Sequence, residues 1–298
     1  MRIGFALPQF GALARRGDQV ALFAQRVEDL GADSLWVGDR LLAPVNPVVG
    51  YGGGSTIPEV FRAILDPFTL LAVAATATRR VRLGTNVLNA PWYPPALLAR
   101  ALTSIDVISG GRLVAGLGIG WSPDEYAAAG VPMNERGARL DECLDALDLL
   151  WTATPAGYQG TYWSVPATHA ELKPVQSPHP PVYLAGMTPA AQRRVARRSD
   201  GWLPVIRPGA APFDPAAITG PLGRIRATAS ELGRDPAAIG AILRVYPVAG
   251  ATAGETAGAL VRAGREAGIE DAFVDLMMMA RDIDNAISLA GQILDRAR

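Results

Sequence analysis

Residues 108–121 read ISGGRLVAGLGIGW, and this stretch decides the fold class. The turn Gly110-Gly111 leads into a short apolar run that ends in glycines at 116, 118 and 120. Because glycine has no Cβ, the backbone at such a strand end can approach a flat ligand closely. Ser122-Pro123 predicts a helix N-terminus, with Glu125 closing a capping box. We therefore expect a strand that ends in a glycine-lined mouth beside the start of a helix.

The glycine spacing argues against a dinucleotide-binding fingerprint. Counted from Gly116, GxGxxG requires a glycine where Trp121 stands, and counted from Gly118 it requires one where Pro123 stands. Two strand–helix units also precede the stretch, whereas the fingerprint usually lies in the first. A glycine-rich strand end without any ligand is the simpler alternative, and the stretch alone leaves it open.

Composition limits the function classes. The chain has 298 residues, of which 49% are hydrophobic, and residues 1–298 are expected to form one large α/β domain. With 28 basic and 28 acidic residues the net charge is zero, which gives no footprint for nucleic acid or an anionic membrane. The apolar start breaks at Pro8, too early for a signal peptide, so we expect a cytoplasmic protein.

Cysteine, histidine and lysine are scarce. The single cysteine, Cys143, has leucines at helical spacing and is expected to be a core residue. Two histidines, His169 and His179, stand in a proline-rich connection, so a metal site is not expected. Lys173 is the only lysine and falls in the same connection. A lyase working through a Schiff base would need a lysine inside the fold, and this one is poorly placed for it.

Short apolar runs alternate with helical periodicity about eight times. The predicted strands are Arg2–Leu7, Ser34–Gly38, Val81–Leu88, Arg112–Leu117, Val182–Ala185, Trp202–Ile206, Ile239–Val248 and Asp271–Met277. The principal predicted helices are Val20–Leu30, Asp66–Thr76, Pro94–Ile108, Arg136–Trp151, Thr188–Ser199, Pro221–Leu232, Ala253–Ala267 and Asn285–Arg298.

This alternation predicts a parallel sheet, since each helix is the crossover that the next parallel strand requires. Eight units indicate a closed (β/α)8 TIM barrel, with insertions after strands 2 and 4 and before strand 5. The loop Leu41–Leu65 and the irregular segment Thr152–Pro181 are the long insertions. The active site of such a barrel lies at the C-terminal ends of the strands.

Five stretches in order resemble the luciferase-like monooxygenase superfamily, and most closely its coenzyme F420-dependent oxidoreductases. They are Ser34–Asp39, Val81–Val87, Gly111–Trp121, Pro180–Gly186 and Asp200–Trp202. The resemblance implies a barrel that binds a deazaflavin or flavin, a homodimer, and a small-molecule substrate held by the barrel-top loops. The ordered set is specific for the superfamily and less so for the cofactor.

In the similar enzymes an Asp-His pair often ends the second strand, beside the reactive edge of the cofactor. Here Asp39 is followed by Arg40, and these two are the expected catalytic residues. Arginine does not titrate near neutral pH, so Arg40 cannot act as a general acid. It could hold negative charge on the cofactor instead, or Asp39 and Arg40 could form a simple surface ion pair.

The resemblance also assigns cofactor contacts. The phosphate site falls at Ala185, Gly186, Met187 and Thr188, where a glycine beside a helix N-terminus offers free N–H groups and a favourable dipole. Thr188 could equally be only an N-cap. Further expected contacts are Gly120, Trp121, Glu125 and Tyr126. The arginines at 193, 194, 197 and 198 are expected to form a solvated helix face.

The resemblance also predicts the backbone geometry at the end of the third strand. In the similar enzymes this strand ends in a bulge with a non-proline cis peptide that backs the central ring of the cofactor. The matching bond here joins Asn86 to Val87, and both residues are expected to contact the cofactor. A plain trans strand end is the alternative.

The chain is therefore expected to be an F420-dependent oxidoreductase that transfers a hydride between the deazaflavin and a small organic substrate. An FMN-dependent monooxygenase, supplied with reduced flavin by a partner reductase, remains the alternative. A cofactor-binding protein without catalytic activity is a third possibility. Sequence alone does not separate them, because a phosphate site serves either cofactor.

Overall fold

The structure, a computed structural model, describes residues 1–210 and 213–298. Its strands are β1 (Arg2–Ala6), β2 (Ser34–Val37), β3 (Arg82–Thr85), β4 (Leu88–Asn89), β5 (Leu113–Gly118), β6 (Ala156–Gln159), β7 (Ser164–Thr168), β8 (Val182–Leu184), β9 (Gly201–Trp202), β10 (Val205–Ile206), β11 (Gly240–Ala241), β12 (Leu243–Val245) and β13 (Asp271–Val274).

Its helices are α1 (Gly11–Ala14), α2 (Val20–Asp29), α3 (Pro67–Ala77), α4 (Pro95–Ser109), α5 (Pro123–Ala128), α6 (Arg136–Thr152), α7 (Pro189–Arg198), α8 (Ala216–Glu231), α9 (Ala253–Ala267) and α10 (Ile283–Ala297). In the described part of the chain, no helix combines the length and the apolar composition needed to cross a membrane.

The parallel strands close into a barrel, which confirms the predicted (β/α)8 fold. Going around it, β1 pairs with β2, then β3, β5 and β8 follow, and β13 returns to β1. The sixth position is shared by β9 and β10, and the seventh by β11 and β12, each strand being interrupted in its middle. The amide of Arg244 donates to the carbonyl of Pro204 across the interruptions, so the ring is continuous.

Apolar side chains fill the space inside and outside this ring. Inside, the rings of Trp36 and Phe273 stack with centroids 4.7 Å apart, against Val114, Leu203 and Ile242. Outside, the larger core lies between the sheet and the helices and includes Cys143, as predicted. Burial raises the pKa of the Cys143 thiol to about 12.

The glycines of the opening stretch serve the barrel itself. A Cβ on Gly116 would collide with the carbonyl of Thr85, and one on Gly118 would lie 2.6 Å from Cγ2 of Val87. Strand β5 needs glycine at both places because β3 and its continuation lie so close. The sequence predicts close approach of a ligand at these glycines and leaves a ligand-free strand end as the alternative; the structure shows that Gly116 serves strand packing.

Several predicted boundaries need correction. Segment 152–181 contains the antiparallel hairpin β6–β7 and is not wholly irregular. Three backbone amides at its turn donate to the carboxylate of Glu142, so this acidic residue of α6 has a structural contact. Helix α8 begins at Ala216, five residues before the predicted start, and carries Pro221 in its interior. The third predicted strand, Val81–Leu88, is interrupted at residues 86 and 87, which is where the resemblance predicts a bulge.

The predicted solvated arginine face of α7 is also partly wrong. Arg194 donates to Asp141 with an Nε–Oδ1 distance of 2.7 Å, and Arg198 pairs with Asp145. These ion pairs join α7 to α6. Arg193 and Arg197 are exposed, as predicted.

Candidate active site

A cavity of about 650 Å³ opens where the C-terminal ends of the barrel strands meet. Ten of the twelve predicted site residues line it: Asp39, Arg40, Asn86, Val87, Gly120, Trp121, Glu125, Ala185, Gly186 and Met187. They come from the ends of the second to the fifth barrel strands, so the fold brings together residues that are up to 148 positions apart. The volume is in the range of small-molecule and cofactor sites.

Tyr126 and Thr188 do not line the cavity. Tyr126 is buried behind it, and its phenol donates to the carbonyl of Ile119. The Thr188 hydroxyl accepts from the amide of Ala191 at 3.2 Å and is the N-cap of α7. The structure thus gives both side chains a local structural partner.

Asp39 is the carboxyl group at the end of β2. Its Oδ2 accepts the amide N–H of Asn89 at 2.9 Å and the Tyr93 hydroxyl at 3.0 Å. Burial raises the pKa of Asp39 to about 7, against the lowering effect of these two hydrogen bonds, and the charge of Glu125 adds to the rise. Its other oxygen, Oδ1, has no hydrogen-bond partner among residues 1–210 and 213–298.

Arg40 does not pair with Asp39, so the simple surface ion pair is wrong. Its Nε lies 3.5 Å from Oε1 of Glu125, and both side chains are buried. The guanidinium also lies over the rings of Phe61 and Trp121, at 4.7 and 4.9 Å from their centroids. Arg40 is therefore held between two aromatic rings and a carboxylate, a geometry that fixes its position.

Glu125 links the second-strand loop to α5. Its Oε1 accepts from the amides of Leu41 and Leu42, at 2.8 and 3.3 Å. The predicted capping box is therefore half wrong: Ser122 accepts the Glu125 amide at 3.4 Å, but the Glu125 carboxylate turns to the loop instead of back to Ser122. Burial raises the pKa of Glu125, while the charge of Arg40 opposes that rise.

The peptide bond between Asn86 and Val87 is cis, which confirms the expectation. Both residues line the cavity. The side-chain amide nitrogen of Asn86 is buried and has no hydrogen-bond acceptor among the described residues. An unpaired buried donor at a cavity wall suits a ligand that carries carbonyl oxygen or ring nitrogen acceptors.

The loop between β8 and α7 forms the next part of the wall. Gly186 has φ of +138°, and a Cβ there would collide with Cβ of Ala191. In the described part of the chain, the amide N–H groups of Gly186 and Met187 donate to no acceptor, and they precede a ten-residue helix. Free N–H groups at a helix N-terminus are suited to bind a phosphate group.

The sequence analysis missed Arg244, which lines the cavity from β12. Its Nη2 lies 2.5 Å from Oδ2 of Asp275, and its guanidinium carbon is 4.8 Å from the centroid of the Tyr246 ring. The signal was present in the run Ile242–Tyr246, where one arginine interrupts an apolar strand. An isolated charge in a strand that is otherwise apolar indicates a side chain with a function or a buried partner.

Lys173 lies away from the barrel interior. Its Nζ donates to the carbonyls of Leu150 and Ala153, at 2.9 and 2.6 Å, and so satisfies the C-terminal end of α6. This placement removes the Schiff-base lyase from consideration, because the amine has a structural role outside the cavity.

Comparison with known proteins agrees with this geometry. The pattern of the luciferase-like monooxygenase family matches residues 1–285. An uncharacterized protein of Mycobacterium tuberculosis is 34% identical over 196 residues, which are 64% of this chain and 69% of that one. The F420-dependent glucose-6-phosphate dehydrogenase of Amycolatopsis mediterranei is 32% identical over 187 residues, which are 61% of this chain and 51% of that protein.

Among solved structures, a monooxygenase from Streptomyces bottropensis, RslO1, superposes with a TM-score of 0.79 at 22% identity, over 99% of this chain and 98% of that one. The chain belongs to the luciferase-like monooxygenase family, whose members are oxidoreductases. Its relatives include an F420-dependent enzyme, and a monooxygenase has a similar fold.

Proposed function

We propose that this protein is an F420-dependent oxidoreductase that transfers a hydride between the deazaflavin and a small organic substrate. The observation that carries the proposal is the set of polar groups along one wall of the cavity. This wall combines the titratable carboxyl group of Asp39, the unpaired amide donor of Asn86 and the free N–H groups of Gly186 and Met187 at a helix N-terminus. A flat ring that bears carbonyl groups would fit beside Asp39 and Asn86, and a phosphate-bearing tail would reach the free N–H groups.

The residues present suit such a group. Asn86 and Val87 would lie against the ring, and the amides of Gly186 and Met187 would bind the phosphate. Gly120 and Trp121 would border the tail between them. When bound, the deazaflavin supplies or accepts a hydride at its ring.

Asp39 would donate or accept the proton that accompanies the hydride. With Oδ2 occupied by two hydrogen bonds, the proton of the neutral acid belongs on Oδ1, the oxygen without a protein partner. A pKa of about 7 lets the group be protonated for reduction of a substrate and ionised for oxidation. Arg40, held by Glu125, would keep the loop after β2 in place beside it.

The relative from Amycolatopsis supports F420 over FMN, since its name specifies that cofactor. An FMN-dependent monooxygenase, served by a partner reductase, is the second candidate. The similarity of the fold to a monooxygenase favours it, and the same N–H groups would accept the phosphate of FMN.

Titration of the purified protein with F420, and separately with FMN, tests the proposal through cofactor fluorescence. We expect F420 to bind at micromolar concentration and FMN to bind more weakly. Gly186→Val should weaken F420 binding, whereas the matched control Gly258→Val, at an exposed position of α9 with open space around it, should not. Binding of FMN without binding of F420, together with oxygen uptake dependent on reduced FMN, would replace the proposal with the second candidate.

A further inference from the structure

One wall of the cavity contains none of the residues that we propose for cofactor binding. Asp39 follows the second barrel strand, whereas Arg207 follows the sixth and Arg244 lies in the seventh. In a ring of eight strands, the second and sixth positions are opposite one another. The two arginines therefore face the cavity from the side across from Asp39, beyond the arc of the second to fifth strands.

Tyr246 organises this wall. The guanidinium carbon of Arg244 is 4.8 Å from the centroid of the Tyr246 ring, and that of Arg207 is 5.2 Å from it. Both cations are thus gathered around one aromatic side chain, which is itself buried. The Nε of Arg244 is buried and has no hydrogen-bond acceptor among the described residues.

The charges of this wall do not cancel. The charge of Arg244 is balanced by Asp275, at 2.5 Å, and across the cavity that of Arg40 is balanced by Glu125. Arg207 forms no ion pair in the part of the chain that the structure describes. One positive charge therefore remains. A singly charged anion would neutralise it, whereas a doubly charged phosphate ester would leave one negative charge uncompensated in the cavity.

The rest of this half of the cavity is apolar or aromatic. Tyr51, whose ring centroid is 6.4 Å from that of Tyr246, lines it together with Leu203 and Val205, and none of the three adds charge. A ligand that fills the space would bury a hydrocarbon or aromatic body and turn a charged end toward the arginines.

We infer that the substrate is a hydrophobic carboxylic acid whose carboxylate binds between Arg207 and Arg244. The inference deepens the proposed function, because it names the substrate class of the same cavity. The carboxylate would hold the body of the molecule across the barrel mouth, between the arginine wall and Asp39. Arg207 and Arg244 would act as specificity-determining residues and take no part in the transfer of the hydride or proton.

Calorimetric titration tests this with 4-phenylbutyrate, its uncharged amide and phenyl phosphate as probes. The 298-residue protein is used with and without F420, so that a failure of cofactor binding is scored separately from a failure of this site. We expect the carboxylate to bind at least tenfold more tightly than the amide, and more tightly than phenyl phosphate.

Arg207→Gln should weaken binding of the carboxylate about tenfold to hundredfold and leave binding of the amide unchanged. Arg207→Lys should restore part of the loss. Arg281→Gln is the matched control, because Arg281 is exposed, pairs with Asp282 and does not line the cavity. Since Arg244→Gln alone would leave Asp275 buried without its partner, the double variant Arg244→Gln/Asp275→Asn tests the second arginine.

Any of four results would overturn the inference. The first is that the carboxylate and the amide bind equally, and the second is that neither binds at millimolar concentration. The third is that phenyl phosphate binds most tightly, which would make the site one for phosphate esters. The fourth is that Arg207→Gln weakens the binding of F420 and not that of the carboxylate, which would assign this wall to the cofactor.

Discussion

Glu28 and Asp39 are carboxyl groups at opposite ends of the same barrel, and they differ in their hydrogen-bond donors, their neighbouring charges and their desolvation. Glu28, at the N-terminal end, accepts the amide N–H groups of Arg79, Arg80 and Val81 at 2.7–3.1 Å. Asp39, at the C-terminal end, accepts one amide and one phenol, both on the same oxygen. Burial raises the pKa of both groups, but the three amides outweigh it at Glu28, whose pKa is lowered.

The comparison shows how one fold separates stability from chemistry. Three N–H donors keep Glu28 ionised, and in return its carboxylate fixes the backbone just before β3. At Asp39, two donors on a single oxygen do not offset the desolvation of the carboxyl group, and its pKa stays raised to about 7. Desolvation, the number of hydrogen bonds to the charged form and the sign of the neighbouring charge, Arg80 at Glu28 and Glu125 at Asp39, together decide which carboxyl group stays ionised and which can exchange a proton.

Asp39→Asn should have the largest effect on catalysis. The amide keeps an acceptor for Asn89 and Tyr93 but cannot release a proton, so substrate reduction should slow about 10²- to 10⁴-fold. The wild-type rate of reduction should fall above pH 7, where Asp39 ionises, and the variant's rate should lose this step. Stopped-flow measurement of the oxidation of reduced F420 gives both the rate and its pH dependence. The substrate is an oxo acid that the enzyme turns over, chosen from a panel. An unchanged rate would exclude Asp39 as the acid.

The same substitution carries a stability prediction with a definite sign. The native pKa of Asp39, about 7, lies above the ordinary value of 3.8, so the native state binds this proton more tightly than the unfolded chain does. Its stabilising contribution is complete below pH 3.8 and is lost as pH rises to about 7. Asp39→Asn should therefore raise the melting temperature relative to wild type at pH 8 and not at pH 4. Thermal unfolding at both values measures it, and a lower melting temperature at pH 8 would contradict the assigned environment.

Gly186→Val should have the next largest effect, which is a loss of F420 affinity at the C-terminal end of the barrel. At φ of +138° a valine is strained, and its Cβ would collide with Ala191, so the loop must shift. The strain costs about 1–3 kcal/mol, and the shift should lower F420 affinity by at least tenfold. Equilibrium titration with F420 measures the affinity. Normal affinity would move the phosphate site away from this loop.

Glu28→Ala should affect only the opposite end. Removal of the carboxylate leaves three amide donors without their acceptor, and we expect a loss of about 2–3 kcal/mol in the free energy of unfolding. F420 affinity should not change, since the site lies at the other end of the barrel. Urea denaturation and cofactor titration together test this. A large loss of F420 affinity without a loss of stability would contradict the assignment of stability to one end of the barrel and of cofactor binding to the other.

Thr188→Ala should have the smallest effect. Its hydroxyl accepts the Ala191 amide and does not line the cavity, so the variant should lose about 1 kcal/mol of stability through the cap of α7. F420 affinity should change less than in Gly186→Val. If affinity falls while stability is unchanged, the hydroxyl contacts the phosphate after all.

Sequence by itself determined the barrel, because alternating strand and helix periodicity allows few other arrangements. The resemblance to the luciferase-like superfamily supplied the twelve expected site residues, and ten of them line one cavity, since the ends of parallel strands meet at the same edge. Helix Ala253–Ala267 has its predicted bounds, because Thr252 and Glu255 form a local capping box.

Only the tertiary structure decided the partners of the charged side chains. Arg40 pairs with Glu125, and not with its neighbour Asp39, because the fold brings α5 against the loop after β2. Arg244 gains Asp275 and Tyr246 in the same way, from the adjacent barrel strand and its own strand end. Ion pairs and burial depend on which distant residues meet in space. Helical periodicity and capping depend only on residues a few positions apart in the chain, so the sequence alone can predict them.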